Sequence, residues 1–567
     1  MILSGNGLRR IVLHQRRRVE SRIVGLCGVL LIAACSRGVA PGPLTARGVE
    51  QTTMGTGAAP VLVAAFEGLG NGFVGPQGRA ALRNPSDNTL AVGKDHIVQI
   101  VNTRLAIFSR AGSTFDSTGR TLYGPVQSNT VFRGAGGACE ARNSGDAVVR
   151  YDQLANRWLI VIPVFQRSVW HANDPKAPVP GGAPVASRPL RADQPGPAVP
   201  LFVPPPVRDS IFIRPPPSPD SGAYAICYAV SETEDPLGAW YRYEFVRPLF
   251  PDYPRPAVWP DGYYVPTSTG DDVIEKHACV ADRARMLRGE AATEQCVVIA
   301  DVNFLNNVDL DGTALPPEGA PNIMLAAGGT QLRGKLADSV LLAWTFHVDW
   351  ADITKTRVNG PVYIPVAPYA YMCGGQLTNC VPQPGAERGL DSQGDKLMAR
   401  VVYRRVGKRE SIVAVHSVNT AAGHGGVRWY ELQFDGARDL RVAQQGTFAP
   451  DSSYRWMASP AIDRFGNIGI GYSFGGTPAF PGQRFAGRRA TDPPGQLTLR
   501  EQVLVHGEAA QSTTLRWEDY TQTAVDPRDD CTIWYVGDYL RAGQTAYSTR
   551  IGAFRLPGCS GTPVGGR

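Results

Sequence analysis

A recurring two-strand pattern constrains the fold of this chain more than any other feature of the sequence. In each copy a polar turn leads into a short run of small or β-branched residues, and a second apolar run follows a Gly- or Asp-containing turn. Seven copies occur at intervals of about 60 residues, at 88–93 with 97–108, 146–152 with 157–165, 257–265, 341–348, 397–403 with 412–418, 457–463 with 467–472, and 523–526 with 532–536. Short strands in such repetition are typical of a β-propeller, whose blades cover one another and leave few exposed edges.

The sequence therefore predicts an all-β fold, a single β-propeller over residues 76–560, with seven blades or, as the alternative, six. The 63 glycines and 46 prolines supply the turns that many short strands require. A series of two-sheet sandwiches is the runner-up, and it fits less well because the copies resemble one another while their turns differ. The segment at 171–222 contains two Pro-Pro-Pro runs, so we expect a surface insertion rather than part of a sheet.

The N-terminal residues 1–34 have the pattern of a bacterial signal peptide. Six arginines precede an apolar run at 23–34 that is too short to span a bilayer. The run ends in Ile-Ala-Ala-Cys at 32–35, which resembles the lipobox, whose cysteine becomes the lipidated first residue of a lipoprotein. Ordinary cleavage near Ala34 is the alternative, and it would remove the anchor but not the export. The choice between Sec and twin-arginine export stays open, because Arg9-Arg10 only loosely resembles a twin-arginine signal.

These features predict an exported cell-envelope protein, anchored in the outer membrane through Cys35 and facing the periplasm or the cell surface. Residues 35–75 are rich in Gly, Ala, Pro and Thr, which predicts a flexible tether, and 561–567 are expected to form a disordered tail. The net charge of +7 is scattered along the chain, so nothing indicates nucleic acid as a partner. The expected partners are the membrane, through the lipid anchor, and a glycan or protein ligand of a monomeric chain.

Apart from Cys27 and Cys35, the chain has eight cysteines, an even number that suits an oxidising compartment. Proximity in the sequence favours Cys279 with Cys296 and Cys373 with Cys380. For the other four we expect Cys139 with Cys227 and Cys531 with Cys559, although the sequence does not fix the pairing among the 105 possibilities. A zinc site is the weaker interpretation, because no C-x-x-C motif occurs and the eight histidines are dispersed.

Three short phrases of the sequence carry a resemblance to known proteins. They are Asp-Asn-Thr-Leu-Ala-Val-Gly at 87–93, Arg-Trp-Glu-Asp-Tyr at 516–520 and Val-Asp-Pro at 525–527. With them, the chain over about residues 80–560 resembles a group of secreted bacterial proteins with a sialidase-like β-propeller. The resemblance implies the fold and brings no established activity.

Polar residues that come just before the predicted innermost strands are the candidates for a ligand site. In a propeller these strands start near the central channel, so the residues before them are expected to converge at one mouth of that channel. Carboxylates, arginines and aromatic rings in such a place can bind a sugar, a carboxylate or a cation; the alternative is that they hold one blade to the next. The candidates are Asp87, Asp146, Asp252, Tyr253, Asp395, Arg400, Arg455, Trp456, Arg516, Asp519 and Tyr520.

The sequence favours a non-catalytic binding module, because no complete catalytic set is present. The alternative is a secreted glycoside hydrolase of the sialidase type, which would need an arginine cluster, a Tyr nucleophile and carboxylates in one pocket. Arg455, Arg516 and Tyr520 fit parts of that set. The Ser-x-Asp-x-Gly-x-Thr-Trp repeat that sialidases usually carry is absent.

One segment has the spacing of a calcium-binding loop. Asn307, Asp309, Asp311 and Glu318 occupy positions 1, 3, 5 and 12, with Gly312 at position 6. Pro316-Pro317 lie where the helix of an EF-hand would begin, so an EF-hand is excluded. The remaining interpretations are an isolated calcium loop, with calcium as the one cofactor indicated, and a plain acidic turn.

Overall fold

The computed structural model describes residues 49–81, 83–168, 223–247, 250–267 and 276–559. The predicted signal peptide at 1–34, Cys35, the Pro-rich insertion at 171–222 and the tail at 561–567 lie outside these residues. The structure is all-β, with 50% strand and 6% helix, and it is built of many small sheets. This architecture is consistent with a β-propeller-like fold.

Helices are short wherever the structure is described. The α-helices are α1 (Gly137–Ala141) and α2 (Arg283–Leu287), and 3₁₀ turns lie at Ser128–Phe132, Gln331–Arg333, Ile353–Lys355 and Met372–Gly374. The carboxylate of Asp282 caps α2 by accepting a hydrogen bond from the Arg285 N–H. None of the helices in the described segments has the length and apolar character needed to cross a bilayer.

Strands β1 to β16 comprise four short N-terminal strands and three four-stranded units. The short strands are β1 (Glu50–Gln51), β2 (Val61–Glu67), β3 (Val74–Gly75) and β4 (Gly78–Arg79). Unit 1 is β5 (Thr89–Val92), β6 (His96–Val101), β7 (Arg104–Ser109) and β8 (Thr121–Gln127). Unit 2 is β9 (Val148–Asp152), β10 (Arg157–Ser168), β11 (Ala223–Ser231) and β12 (Trp240–Arg247). Unit 3 is β13 (Ala257–Trp259), β14 (Gly262–Tyr264), β15 (Lys276–Ala281) and β16 (Glu294–Ile299).

The remaining strands complete four more units and one hairpin. Unit 4 is β17 (Asn306–Leu310), β18 (Asn322–Ala327), β19 (Ala337–His347) and β20 (Arg357–Ala370), followed by the hairpin β21 (Val381–Gln383) and β22 (Ala386–Leu390). Unit 5 is β23 (Val401–Val406), β24 (Arg409–Asn419), β25 (Gly425–Phe434) and β26 (Leu440–Phe448). Unit 6 is β27 (Tyr454–Ile462), β28 (Ile468–Gly476), β29 (Ala479–Arg488) and β30 (Gln502–Val505). Unit 7 is β31 (Gln522–Val525), β32 (Ile533–Tyr539) and β33 (Ser548–Arg555), joined by β2.

Within each unit, neighbouring strands pair antiparallel. In units 1 to 6 these neighbours are consecutive in the sequence, whereas in unit 7 the fourth strand is β2, which pairs with β33. Units 4 and 5 form one nine-stranded sheet, because their first strands β17 and β23 pair in parallel and β1 adds to β26. First strands of successive units contact one another, and β31 of unit 7 contacts β5 of unit 1. The first strands are therefore neighbours in chain order, from unit 1 to unit 7 and back to unit 1.

The hydrophobic core lies between the faces of successive units. Separate clusters fill the spaces between units 1 and 2, units 2 and 3, units 5 and 6, and units 6 and 7, while one cluster spans units 3 to 5. Another joins unit 7 to unit 1, where Trp534 and Ile551 pack with Leu90 and Phe108. Each sheet thus buries both faces against its neighbours, which explains why most of its strands are apolar without strict alternation.

The tether predicted for residues 35–75 is wrong from residue 49 onward. β1 pairs with β26, and β2 pairs with β33 from Val61 opposite Arg555 to Glu67 opposite Arg550. Ala64 and Phe66 of β2 contact the cluster between units 7 and 1, whereas Leu62 contacts the cluster between units 6 and 7. Small residues and threonines around β2 gave the segment the composition of a linker, but its apolar side chains complete two cores.

The predicted strand positions hold in most units, with two corrections. The run at 97–108 is two strands, β6 and β7, because the chain reverses at Asn102, which has a φ of 49°. In unit 4 the predicted run at 341–348 falls in the third strand, β19, and the first strand is β17, within the segment predicted to bind calcium. The Asn and Asp residues of β17 have the composition of a turn. They nevertheless lie in a strand, where their polar side chains are buried in the interior.

All four predicted disulfides are present: Cys139–Cys227, Cys279–Cys296, Cys373–Cys380 and Cys531–Cys559. Cys139–Cys227 links α1 to β11, and Cys279–Cys296 joins directly opposed residues of β15 and β16. Multiple disulfides fit a protein that resides outside the cytoplasm.

Candidate functional site

Sharp turns precede most of the first strands. We call the residues just before the first strands of units 1, 2, 3, 4, 5 and 7 the leading turns. Asp87, Asp146, Tyr253, Gln393 and Asp519 in these turns have positive φ, between 46° for Asp87 and 66° for Asp519. Aspartate tolerates this left-handed conformation better than most residues with a Cβ atom, and such backbone strain is concentrated at functional sites.

The leading turn of unit 7 connects the other turns. Asp87 of unit 1 donates its N–H to the Glu518 carbonyl at 2.8 Å, and Asp391 of unit 5 donates its N–H to the Leu515 carbonyl at 2.8 Å. The hydroxyl of Tyr253 in unit 3 donates to the carbonyl of Asp519. Four turns that are far apart in the sequence are therefore held together by bonds to the backbone of one of them.

Carboxylates predominate where these turns meet. Asp146 and Asp519 lie close enough to Asp87 to raise its pKa, and Asp252 and Asp519 raise the pKa of Asp146. Burial is the largest cause of these two raised pKa values; for Asp146 the charge of Asp252 comes next. Arg516 opposes this charge and forms an ion pair with Asp519. We define the leading-turn cluster as Asp87, Asp146, Asp252, Tyr253, Gln393, Arg516, Asp519 and Tyr520.

Three residues of the leading-turn cluster are partly accessible to solvent. Asp146, Asp252 and Arg516 are half-buried, whereas Asp87 and Asp519 are buried. A ligand arriving from solvent would therefore meet two carboxylates and one guanidinium first. Hydroxyl groups and cations are the ligand groups that carboxylates bind, and a guanidinium binds carboxylate or phosphate.

Two stacked tyrosines form the buried part of the cluster. The rings of Tyr253 and Tyr520 have centroids 4.3 Å apart and an interplanar angle of 21°. The Tyr520 hydroxyl donates to Oδ2 of Asp146 at 3.2 Å. Phe304, before the first strand of unit 4, contacts the edge of Tyr253 with centroids 5.3 Å apart. Burial raises the pKa of both tyrosines, so both hydroxyls are protonated donors at neutral pH.

Unit 5 contributes two polar groups that the sequence did not identify. Gln393 donates to Oδ1 of Asp519 at 2.9 Å and to Oδ2 of Asp391 at 3.1 Å. Burial, and then the charge of Asp519, raises the pKa of Asp391 to about 6. Both residues lie near the predicted Asp395, so a window of several residues before each first strand would have included them.

Asp395 lies beside the cluster, next to the basic residues Lys396 and Arg255. Its Oδ1 pairs with Nζ of Lys396 at 2.8 Å, and its Oδ2 accepts a hydrogen bond from Asn303 at 2.7 Å. Lys396 also lies 5.1 Å from the ring centroid of Tyr253, and Arg255 lies 4.4 Å from the same centroid. Arg255 and Lys396 follow predicted residues by one or two positions, but the direction of their side chains could not be read from the sequence.

Besides Asp395, three more of the predicted residues lie outside the leading-turn cluster. Arg455 is fully buried and forms ion pairs with Asp451 at 2.8 Å and Glu501 at 2.8 Å. Trp456 is also fully buried, with its ring centroid 6.2 Å from that of Trp517. The third residue, Arg400, is buried among the first strands. These residues satisfy the rule of preceding or beginning a strand, but their side chains pack in the interior.

Arg400 is part of a closed ionic network, which we call the first-strand network: Arg150, Asp309, Asp311 and Arg400. Arg400 pairs with Asp309 and with Asp311 at 2.6 Å each, and Arg150 lies 3.3 Å from Asp309. All four side chains are buried. Two guanidinium groups and two carboxylates balance in charge, which is the condition under which buried ions are tolerated.

The first-strand network reaches every unit. Asp309 accepts a hydrogen bond from the Val258 N–H of unit 3 at 2.8 Å, and Asp311 accepts from the Ile462 N–H of unit 6 at 2.9 Å. Arg400 donates to the Thr523 carbonyl of unit 7 at 3.1 Å. Gln522 bonds to Arg150 of unit 2 and to the Leu90 carbonyl of unit 1. The network fills the space between the first strands with matched polar groups.

The calcium-loop prediction for Asn307, Asp309, Asp311 and Glu318 is therefore wrong. Asn307 bonds to Asn322 within the sheet, both aspartates pair with Arg400, and Glu318 is exposed to solvent. In the described segments, the His, Cys, Asp and Glu residues close enough to hold a metal ion are Cys279, Glu294 and Cys296. The sulfurs of that group are joined in a disulfide, so they cannot act as thiolate ligands.

The arginines suggested for a sialidase-type site do not converge. Of the three arginines predicted for the site, only Arg516 lies in the leading-turn cluster, and it is paired with Asp519. Arg400 and Arg455 are each bound by two carboxylates. No protein-family model matches the chain, and a search of curated proteins found no significant match.

Proposed function

We propose that this protein is an exported, non-catalytic binding module that holds its ligand at the leading-turn cluster. The observation that carries the proposal is the convergence of leading turns from several units on a half-open group with four carboxylates and one arginine. A purely structural group would be expected to balance its charges, as buried polar groups generally do. The proposed ligand is a glycan or protein segment that offers hydroxyl or cationic groups to Asp146 and Asp252.

We also propose that the seven units are the blades of one seven-bladed β-propeller of the sialidase-like type. The support is the order of the units, the packing of unit 7 on unit 1 and the pairing of β2 with β33. An N-terminal strand that completes the last blade would join the ends of the chain and remove an exposed edge. In such a ring the leading turns would surround one mouth of the central channel.

Two features favour binding over glycoside hydrolysis. Glycosidase carboxylates stand about 5 Å apart in retaining enzymes and about 6.5–9.5 Å apart in inverting ones. Asp87 and Asp146 are instead close neighbours among further carboxylates, and Asp87 is buried, so this pair does not flank an open space for a glycosidic bond. Tyr520 stacks beneath Tyr253 and its hydroxyl is bound to Asp146, which leaves it poorly placed as a nucleophile.

For its location, we propose export and attachment to the outer membrane through a lipid on Cys35. The four disulfides and the lipobox-like sequence at 32–35 support this proposal. The test is metabolic labelling with a fatty acid. Wild type should carry the label and sediment with membranes, while Cys35→Ala should be unlabelled. Equal labelling of both proteins would contradict the anchor.

A glycan array, together with a peptide array, tests the binding function. Wild type should bind a restricted set of ligands, and Asp146→Asn should lose that signal. The matched control is Asp435→Asn, because Asp435 pairs with Arg441 on an exposed turn outside the cluster. Fluorogenic sialosides and other glycosides should remain uncleaved by wild type. Turnover that depends on Asp146 would contradict the non-catalytic assignment.

A further inference from the structure

Arg255 differs from the other buried arginines of the molecule. It is 3% exposed, and its Nη1 donates to the Leu397 carbonyl at 3.0 Å. Its Nε and Nη2 are buried and make no hydrogen bond within the described residues, while the nearby Tyr253 side chain favours the charged form of the guanidinium. Among the arginines in the described residues, Arg255 alone has two such nitrogens. A buried N–H without a partner costs about 1–3 kcal/mol, more when it is charged, so this edge should meet an oxygen atom in the functioning protein.

The surroundings of Arg255 are aromatic and basic. Its guanidinium carbon lies 4.4 Å from the ring centroid of Tyr253 and 5.0 Å from that of Phe304. Nζ of Lys396 lies 4.4 Å from the Phe304 centroid, and Nζ of Lys276 lies 5.6 Å from it. Burial lowers the pKa of Arg255. An incoming negative charge would therefore be stabilised by a guanidinium held in place by two rings and by the lysines beside it.

The free edge of Arg255 has the geometry that oxyanions prefer. Nε–H and Nη2–H point in parallel from one side of the planar guanidinium, and two such bonds fit the two oxygens of a carboxylate or phosphate. By contrast, the arginines of the first-strand network already use this donor capacity on carboxylates or carbonyls. Arg400 gives Nε to Asp309 and Nη2 to Asp311.

We propose that the Nε–Nη2 edge of Arg255 binds an oxyanion, a carboxylate or a phosphate, carried by the ligand of this protein. The inference rests on the proposed binding function, because Arg255 follows the leading turn that contains Tyr253. The ligand would then be anionic at the end near Arg255 and would present hydroxyl or cationic groups toward Asp146. The site would recognise charge distribution along the ligand rather than a single group.

Inorganic phosphate and acetate are the probes that test the anion site. Each is titrated calorimetrically into the full mature protein against sodium chloride at equal ionic strength. One of the two should bind wild type saturably with one site per chain, and which one binds distinguishes a phosphate from a carboxylate ligand. Arg255→Lys keeps the charge but loses the paired donors, so binding should weaken at least about tenfold. Arg157→Lys, at an arginine with one unpartnered nitrogen, should bind as wild type does.

A crystal structure of wild type grown with the tighter probe provides the second measurement, which does not depend on any variant folding. Density for the anion should lie within hydrogen-bonding distance of both Nε and Nη2. The proposal is overturned if neither probe binds, if Arg255→Lys binds equally well, if only water lies at this edge, or if the anion binds at crystal concentration only. Array binding that depends on Asp146, without any anion at Arg255, would retain the binding function and reject this inference.

Discussion

The first-strand network and the leading-turn cluster are both built from aspartates, arginines and hydrogen-bonding side chains contributed by several units, yet they differ in charge balance. In the network, Arg150 and Arg400 match Asp309 and Asp311, and all four are buried. In the cluster, Arg516 stands against four carboxylates, two of which have raised pKa values because of burial and their acidic neighbours. A position before a strand is therefore not enough to identify a binding residue. An excess of carboxylates over arginines among partly exposed residues is the better indicator.

The largest effect is expected for removing a charge from the network. Asp309→Asn leaves Arg400 and Arg150 without their shared carboxylate in the interior. Breaking a buried ion pair in this way costs about 3–5 kcal/mol of the free energy of unfolding. Denaturant-induced unfolding of both proteins measures the difference. The control Asp435→Asn removes a charge from an exposed pair and should unfold at the same denaturant concentration as wild type. If Asp309→Asn were as stable as wild type, the structural role of the network would be contradicted.

A carboxyl next to the cluster should have the opposite effect on stability. The pKa of Asp391 is raised to about 6, above its unfolded value, so its contribution to stability is complete below about pH 4 and is lost as the pH rises through 6. Asp391→Asn should therefore match wild type near pH 4 and be more stable by up to about 3 kcal/mol above pH 7. Urea unfolding at both pH values tests this. A difference that does not change with pH would show that Asp391 is ionised at no cost.

A smaller effect is expected for the hydroxyl groups of the stacked tyrosines. Tyr520→Phe keeps the ring on Tyr253 and removes the hydrogen bond to Asp146, so we expect a loss of about 1 kcal/mol. Tyr253→Phe removes the bond to the Asp519 carbonyl and is the matched variant, with a loss of similar size. Thermal unfolding of the two proteins gives the comparison. Losses several times larger would indicate that the cluster holds the fold together as the network does.

The smallest effect on stability is expected at the half-open carboxylate itself. Asp146→Asn removes one of several like charges and retains an acceptor for the Tyr520 hydroxyl. Because burial and the neighbouring carboxylates raise the pKa of Asp146, the neutral Asn relieves repulsion at pH 7, and no loss in the free energy of unfolding is expected. Chemical unfolding at pH 7 measures it. A loss comparable to that of Asp309→Asn would remove the distinction between the two regions.

The sequence predicted the fold better than the site, for physical reasons that particular residues illustrate. The strands β9 and β10 have apolar runs with a polar turn between them. This local pattern predicts a hairpin without any knowledge of the other units. β17 and β2 escaped prediction because their polar or small residues acquire meaning only from partners far away in the sequence, such as Arg400 for Asp309 and Arg555 for Val61. Proximity in the sequence indicated Cys279–Cys296 and Cys373–Cys380, whereas the other two disulfides were expected without being fixed by spacing.

For the site, position along the chain was predictable and side-chain direction was not. Asp146, Asp252, Tyr253, Arg516, Asp519 and Tyr520 come together as the rule of residues before first strands requires. Arg455 obeys the same rule, yet it points into an ionic pocket with Asp451 and Glu501. Arg255 could not be predicted, because the lack of hydrogen-bond acceptors beside two of its nitrogens depends on the three-dimensional packing of residues from several units.

Ligand binding by the two aspartate variants, measured per folded molecule, shows whether the cluster binds ligand while the network only stabilises the fold. The probe is the ligand with the strongest array signal, titrated into wild type, Asp146→Asn and Asp309→Asn under conditions where each is folded. We expect Asp146→Asn to lose binding at least about tenfold, because the hydrogen bond from the ligand to its carboxyl group is removed, while Asp309→Asn retains wild-type affinity. Loss of affinity in Asp309→Asn with full binding by Asp146→Asn would contradict the assignment of structure to one region and binding to the other.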